Sequence, residues 1–179
     1  AADANKIPTA VNLGNPGGSL SLPVFSDVVN DNGNYHVFVS NNWPGGLVRM
    51  DFGNSLLNAP VVVNLGNIGG VIPNTIEGIQ VVKNEGRWYA IMVGGDIVNG
   101  GIPSRIIKID FGVNITNVAP VGTNWGNIGN LAYPVDLHLF QENGGWYGFT
   151  VNAQNNTITR FNFPNSFTNV PTGVNLGNL

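Results

Sequence analysis

The chain has 179 residues with 25 Gly, 11 Pro and no Cys, and its 7 Lys+Arg against 10 Asp+Glu give a net charge of −3. No basic surface is available for a run of phosphates, and the missing cysteines exclude disulfide frameworks, thiolate metal sites and cysteine nucleophiles. Only 9% of residues are charged, against about a quarter in ordinary soluble domains, so the composition favours strands and turns over helices.

The chain opens Ala1-Ala2-Asp3-Ala4 without Met, which is expected of a mature exported form or of a piece of something longer. The first repeat unit, 9–60, begins with Asn12-Leu13-Gly14-Asn15. A short first strand, Asp27 to Val29, runs into the turn Asn30-Asp31-Asn32-Gly33, where Asn and Gly supply the positive φ of a tight hairpin. The second strand is the aromatic phrase from Tyr35 to Val39. The loop Asn41-Asn42-Trp43-Pro44-Gly45-Gly46 follows, then a third strand containing Arg49 and Asp51. The fourth runs through Pro60-Val61-Val62-Val63 into the next Asn64-Leu65-Gly66-Asn67.

The second unit, 61–120, repeats this order with Ile79 to Val82, the turn Lys83-Asn84-Glu85-Gly86, Trp88-Tyr89, Lys108 and Asp110. The third, 121–171, does so with Leu137 to Phe140, the turn Gln141-Glu142-Asn143-Gly144, Trp146-Tyr147, Arg160 and Asn162. Residues 172–179 return to Asn175-Leu176-Gly177-Asn178, as the start of a fourth unit or a closing strand. The opening phrase thus recurs at intervals of 52, 60 and 51 residues. Four antiparallel strands in about 50 residues is the size of a propeller blade, and constant phrases at a constant period mark a repeat array. The predicted fold is therefore all-β, a propeller-type array of three four-stranded blades forming one domain over 1–179. Asn, Gly and Pro punctuate the uncharged stretches, so no membrane insertion is expected.

The pattern Asn-Leu-Gly-Asn-Ile-Gly-Gly, then Gly-Ile-Gln-Val-Val-Lys-Asn-x-Gly-x-Trp-Tyr, then Ile-Asp-Phe-Gly resembles the blade repeats of large secreted or surface-attached proteins of gliding Bacteroidota. The resemblance spans about Thr9 to Leu179 and implies a β-propeller beside adhesive modules, with no catalytic motif to carry over. It departs at Trp125, Asn162 and Pro164.

Recurring positions are read as structural: Tyr35, Trp88 and Trp146 as wedges between blades, and Arg49, Lys108 and Arg160 as ion pairs or turn clamps with the acidic or amide residue two places on. Positions that differ between units are where a site could be built. Alignment on the hairpin glycines makes Asp27, Gln80 and His138 equivalent, with Asp136 two residues before His138, and these are the candidates for a ligand at the channel mouth. Trp43 has no aromatic counterpart in the other units and suits stacking on a sugar ring. The matching loop of the second unit, Gly94 to Ser104, is six residues longer and is a second candidate edge for binding. Two His and no Cys argue against structural zinc, no Asp-x-Asp-x-Asp-Gly run is present, and no cofactor is expected.

The leading expectation is a non-catalytic, secreted or cell-surface propeller acting as scaffold and adhesive surface for a glycan or a surface protein, without nucleic-acid partners. A virion or tail-fibre receptor-binding component is the alternative. A glycan hydrolase or lyase on a propeller scaffold is the second alternative, with Asp27, Asp136 and His138 as its candidates. Three blades leave two open edges, so self-association or a longer chain is expected, with a six-blade ring from two chains as the simplest closure.

Overall fold

The computed structural model describes residues 9–178; the opening Ala1-Ala2-Asp3-Ala4 and Leu179 lie outside them. Twelve strands form three four-stranded antiparallel sheets, each from consecutive chain. Blade 1 holds β1 (Pro23–Asp31), β2 (Asn34–Asn41), β3 (Gly46–Gly53) and β4 (Val61–Gly66). Blade 2 holds β5 (Ile76–Asn84), β6 (Arg87–Gly94), β7 (Arg105–Gly112) and β8 (Val121–Gly126). Blade 3 holds β9 (Pro134–Glu142), β10 (Gly145–Asn152), β11 (Thr157–Phe163) and β12 (Thr172–Asn175). The all-β, three-blade expectation holds. Among the described residues, helix is confined to one turn, α1 (Ile97–Gly100), and two three-residue 3-10 turns.

Local chemistry explains each turn. Asn32, Glu85 and Asn143 take φ of +52°, +50° and +49° ahead of Gly33, Gly86 and Gly144, which also have positive φ. Two consecutive residues of that kind make the hairpin whose twist matches the strands it joins. The Asn-Leu-Gly-Asn phrase is equally mechanical. Its first Asn accepts the N–H of the Gly two places on, at 2.8 to 2.9 Å in all four copies. The second Asn of the first three copies clamps both backbone groups of a following apolar residue, Leu20, Ile72 or Leu131.

The blades are offset from the repeat units read in the sequence. Thr172–Asn175 pairs with β11, so it closes blade 3 and does not open a fourth blade. The phrase at Asn12 lies ahead of β1, outside the three sheets.

β5 packs against both β1 and β9, which makes these three the innermost strands of a curved row. The core sits in the seams between blades. Phe38, Ile79, Val81, Trp88, Phe111 and Ile115 fill the first seam, and Tyr89, Ile91, Leu139, Phe161, Phe163 and Phe167 the second. Blade 2, covered on both faces, buries β6 from Trp88 to Gly94 without a break. Trp88 is buried in the first seam and Trp146 packs on the second, whereas Tyr35 packs on a cluster of blade 1 itself.

Candidate functional site

One cross-strand row decides what the sequence-equivalent residues do. In each blade a polar residue of the innermost strand, an apolar residue of the second and a basic residue of the third lie opposite one another: Asp27, Phe38 and Arg49; Gln80, Ile91 and Lys108; His138, Phe149 and Arg160. Side chains opposite in register share a sheet face. In blades 1 and 2 that face is turned into the following seam.

Asp27 Oδ2 accepts the N–H of Val81 at 2.6 Å, and Gln80 Oε1 accepts the N–H of Leu139 at 2.7 Å. Each ties its innermost strand to the same position of the next. Asp27 and Gln80 are thus engaged as straps between blades, while His138 lies near enough to act on the Asp27 carboxyl. The reason lies in sheet orientation. A blade stands edge-on to the axis, so its innermost strand sends its side chains sideways into the seams. His138 holds the same position on the exposed face of blade 3.

The basic residues act in the same seams. Arg49 is buried, donates to Asp51 from Nε at 2.8 Å and reaches the carbonyls of Ile115 and Asn117 in blade 2 from Nη1. His36 Nδ1 lies 2.6 Å from the same Asp51. Lys108 instead sits over the rings of Tyr89 and Trp125. Burial pulls its ammonium below the ordinary lysine value, and Asp110 opposes that shift.

At the other end of the innermost strands the three blades meet around a carboxylate not singled out in the sequence. Glu77, near the start of β5, is only 7% exposed. Its Oε1 accepts Asn42 Nδ2 of blade 1 at 3.0 Å and the hydroxyl of Tyr133, just ahead of β9, at 3.3 Å. Its Oε2 has no protein donor among the described residues. Burial first, and Glu77 second, push the Tyr133 phenol above its ordinary value. Asn42 Oδ1 and Thr75 Oγ1, two residues before Glu77, are buried without partners among the described residues, so the rim is polar and under-satisfied.

Trp43 follows Asn42 directly and is 60% exposed, as expected of a loop aromatic. Its loop is pinned at Gly45, where φ is +89° and a Cβ would come within 2.7 Å of the Pro73 carbonyl oxygen. Only glycine allows that approach, which seats Trp43 beside the segment leading into β5. Asp136 lies across from β5. A Cβ on Gly78 would stand 2.7 Å from the Asp136 carbonyl carbon, so the two backbones touch there. Asp136 has φ of +60° and accepts the N–H of Leu137 at 2.7 Å.

The long loop of blade 2 is a tie between loops. Asp96 accepts Val98 and Asn99 at the start of α1 and also the side-chain amide of Gln154 in blade 3. The Asn99 N–H and side chain hold its carboxyl below the usual range. Among the described residues no three His, Asp or Glu group to hold a metal ion, and no helix is long and apolar enough to cross a membrane.

No protein-family model matches the sequence, and a search of curated proteins returns no match. Solved structures do match. The catalytic domain of a Coprinopsis cinerea GH62 α-L-arabinofuranosidase aligns with TM-score 0.58 and 19% identity over 87% of this chain and 51% of its own. A Podospora anserina α-L-arabinofuranosidase in complex with cellotriose gives 0.59 and 18% over 89% and 52%. A thermostable family-43 glycoside hydrolase gives 0.62 and 11% over 90% and 55%. The likeness is one of fold. The chain spans about half the length of each of these structures.

These neighbours correct two expectations. The non-catalytic adhesive module and the answer "not an enzyme" give way, because the scaffold shared with this chain is in all three a glycoside hydrolase. The reading they favour is the glycan hydrolase, the second alternative. Of the resemblance to surface proteins of gliding Bacteroidota, the propeller stands and nothing links the chain to gliding or adhesion. The sequence missed Glu77 and Tyr133. The available signal was a lone carboxylate inside the apolar run Ile76-Glu77-Gly78-Ile79, where an unpaired charge would be costly.

Proposed function

We propose that the chain carries the glycan site of a propeller-scaffold hydrolase, at the rim around Glu77. The observation that carries this reading is the buried Glu77 carboxylate, held through one oxygen by Asn42 and Tyr133 from the blades on either side, with the exposed Trp43 next to Asn42 in the chain. Glycoside hydrolysis uses two carboxyl groups flanking the scissile bond, one protonating the leaving oxygen and the other serving as nucleophile or activating water. We take Glu77 as one and propose as the second Asp136, whose backbone meets the Glu77 strand at Gly78. Trp43 supplies a flat apolar face for a sugar ring, and Asn42 and Tyr133 keep the carboxylate aimed. The α-L-arabinofuranosidases among the fold neighbours support a pentose-containing glycan as substrate class. Such a polymeric substrate accords with an extracellular location, which is part of this proposal.

The test is hydrolysis of a panel of nitrophenyl glycosides and arabinose- or xylose-containing oligosaccharides. Glu77→Gln is expected to lower kcat by at least about 100-fold, the usual minimum for loss of an acid–base group, while Trp43→Ala raises KM. A wild-type chain inert on the whole panel, or a Glu77→Gln chain with unchanged kcat, overturns the proposal.

A further inference from the structure

Arg49 and Lys108 hold the same place on the third strands of blades 1 and 2, and each has an aspartate two residues on, on the same sheet face. Blade 1 uses that pair, with Arg49 Nε donating to Asp51 at 2.8 Å. Blade 2 does not. Asp110 is drawn off by Arg87, whose Nη2 donates to both of its oxygens at 3.0 Å, and by the N–H of Gly112 at 2.8 Å. The competitor belongs to blade 2 alone: the residue after the hairpin glycine is Arg87 there, Asn34 in blade 1 and Gly145 in blade 3.

Lys108 is thereby left inside the second seam without its acceptor. The residue is 9% exposed, its amine makes no hydrogen bond or ion pair among the described residues, and it faces the rings of Tyr89 at 5.9 Å and Trp125 at 5.4 Å. Burial stops short of sealing Nζ, which keeps contact with solvent. Two aromatic faces return part of the lost hydration of a cation, but a buried charge without a hydrogen-bonded counter-ion stays costly, and an amine can shed that cost by releasing its proton. Burial is the largest influence on this ammonium and pulls it below the ordinary lysine value; Arg87 adds to the pull, and Asp110 opposes it. A lysine desolvated beside another cationic group is the usual form of an activated amine nucleophile.

We propose that Lys108 is a covalent capture site for small aldehydes, forming an imine at Nζ against the Tyr89 and Trp125 rings. The lone pair of the uncharged amine attacks the carbonyl carbon, the carbonyl oxygen takes up the two amine protons, and it departs as water to leave a C=N bond. No oxidant or reductant is consumed. The imine carries no charge to desolvate, so the burial that disfavours the ammonium favours the product. A small uncharged carbonyl compound also suits an opening that admits solvent only to the tip of the side chain. This inference is independent of the glycan site and stands or falls without it.

The test is alkylation of the intact chain by propanal at pH 7, with cyanoborohydride to trap the imine, followed by peptide mapping. Lys83 is the internal reference. It is 42% exposed and paired with Asp31 at 3.3 Å, so accessibility favours Lys83 and the unpaired amine favours Lys108. Lys108 should be alkylated at least about threefold faster than Lys83, and the difference should vanish in urea. Arg87→Gln removes a half-exposed ion pair that weighs little in stability. It releases Asp110 to Lys108 and should slow alkylation there at least about threefold. A native chain that labels Lys83 as fast as Lys108, a Lys108 modified only in urea, or an Arg87→Gln chain with an unchanged rate at Lys108 overturns the proposal.

Discussion

The two seams follow one plan and use different chemistry. Between blades 1 and 2 the strap is a carboxylate, the plug is the aliphatic Ile115, and the cation is a buried arginine bonded to Asp51 and two carbonyls. Between blades 2 and 3 the strap is a neutral amide, the plug is Phe167 stacked among Tyr89, Trp146 and Phe163, and the cation is a lysine over aromatic rings. Geometry fixes which positions face the seam, and the residues at those positions are interchangeable so long as an acceptor meets the strand N–H and an apolar group fills the gap. The first seam therefore depends on ionic hydrogen bonds and the second on aromatic packing.

That contrast breaks most visibly at the plugs. Phe167→Ala removes a fully buried ring in contact with three others and should cost about 3 to 5 kcal/mol in urea or guanidinium unfolding. Leu56→Ala, the same position on blade 1 but 47% exposed, should fall within about 0.5 kcal/mol. Equal losses at the two positions would mean that exposure in the arc is not what separates them.

The cations come next. Arg49→Leu leaves Asp51 with His36 alone and two carbonyls without their donor, which should cost about 3 kcal/mol. Lys108→Met keeps the apolar stem against Tyr89 and Trp125 and loses only a cation over two rings, about 1 kcal/mol. Chemical denaturation of both variants checks the order, and a larger loss at Lys108 would reverse the assignment of ionic and aromatic seams.

Much of this plan is legible in the sequence, and its limits are physical. The hairpin glycines give the register outright, because a turn with two positive-φ residues needs Asn-Gly or its like. They also make Asp27, Gln80 and His138 equivalent. What the register does not contain is the direction of those side chains, since that depends on the sheets standing edge-on to the axis. Trp43 could be found because an aromatic in a Gly/Pro loop has little to bury it. Glu77 could not be given its partners, because Asn42, 35 residues before it, and Tyr133, 56 residues after it, come from other blades. Blade boundaries shifted for a similar reason: the Asn-Leu-Gly-Asn phrase punctuates the repeat, while pairing with the third strand assigns it to the blade before.

The finest difference between the seams is the charge on the strap. Burial raises the Asp27 carboxyl above the ordinary aspartate value, against the N–H groups of Val81 and Val28 and the nearby His138, which pull it down. A carboxyl with a higher pKa folded than unfolded binds more protons in the folded state, so the stability it contributes is fully present below the unfolded value of 3.8 and is lost as pH rises through the folded value. Gln80 carries no such dependence. Asp27→Asn keeps the oxygen that accepts the Val81 N–H and gives up the exposed bond to Val28. Denaturation of wild type and Asp27→Asn across pH 4 to 7 should therefore show wild type losing ground to the variant as pH rises. Gln80→Glu should install the same slope in the second seam. If Asp27→Asn leaves the pH profile parallel to wild type, the carboxylate is as well solvated in the seam as in the unfolded chain, and the two straps differ in name only.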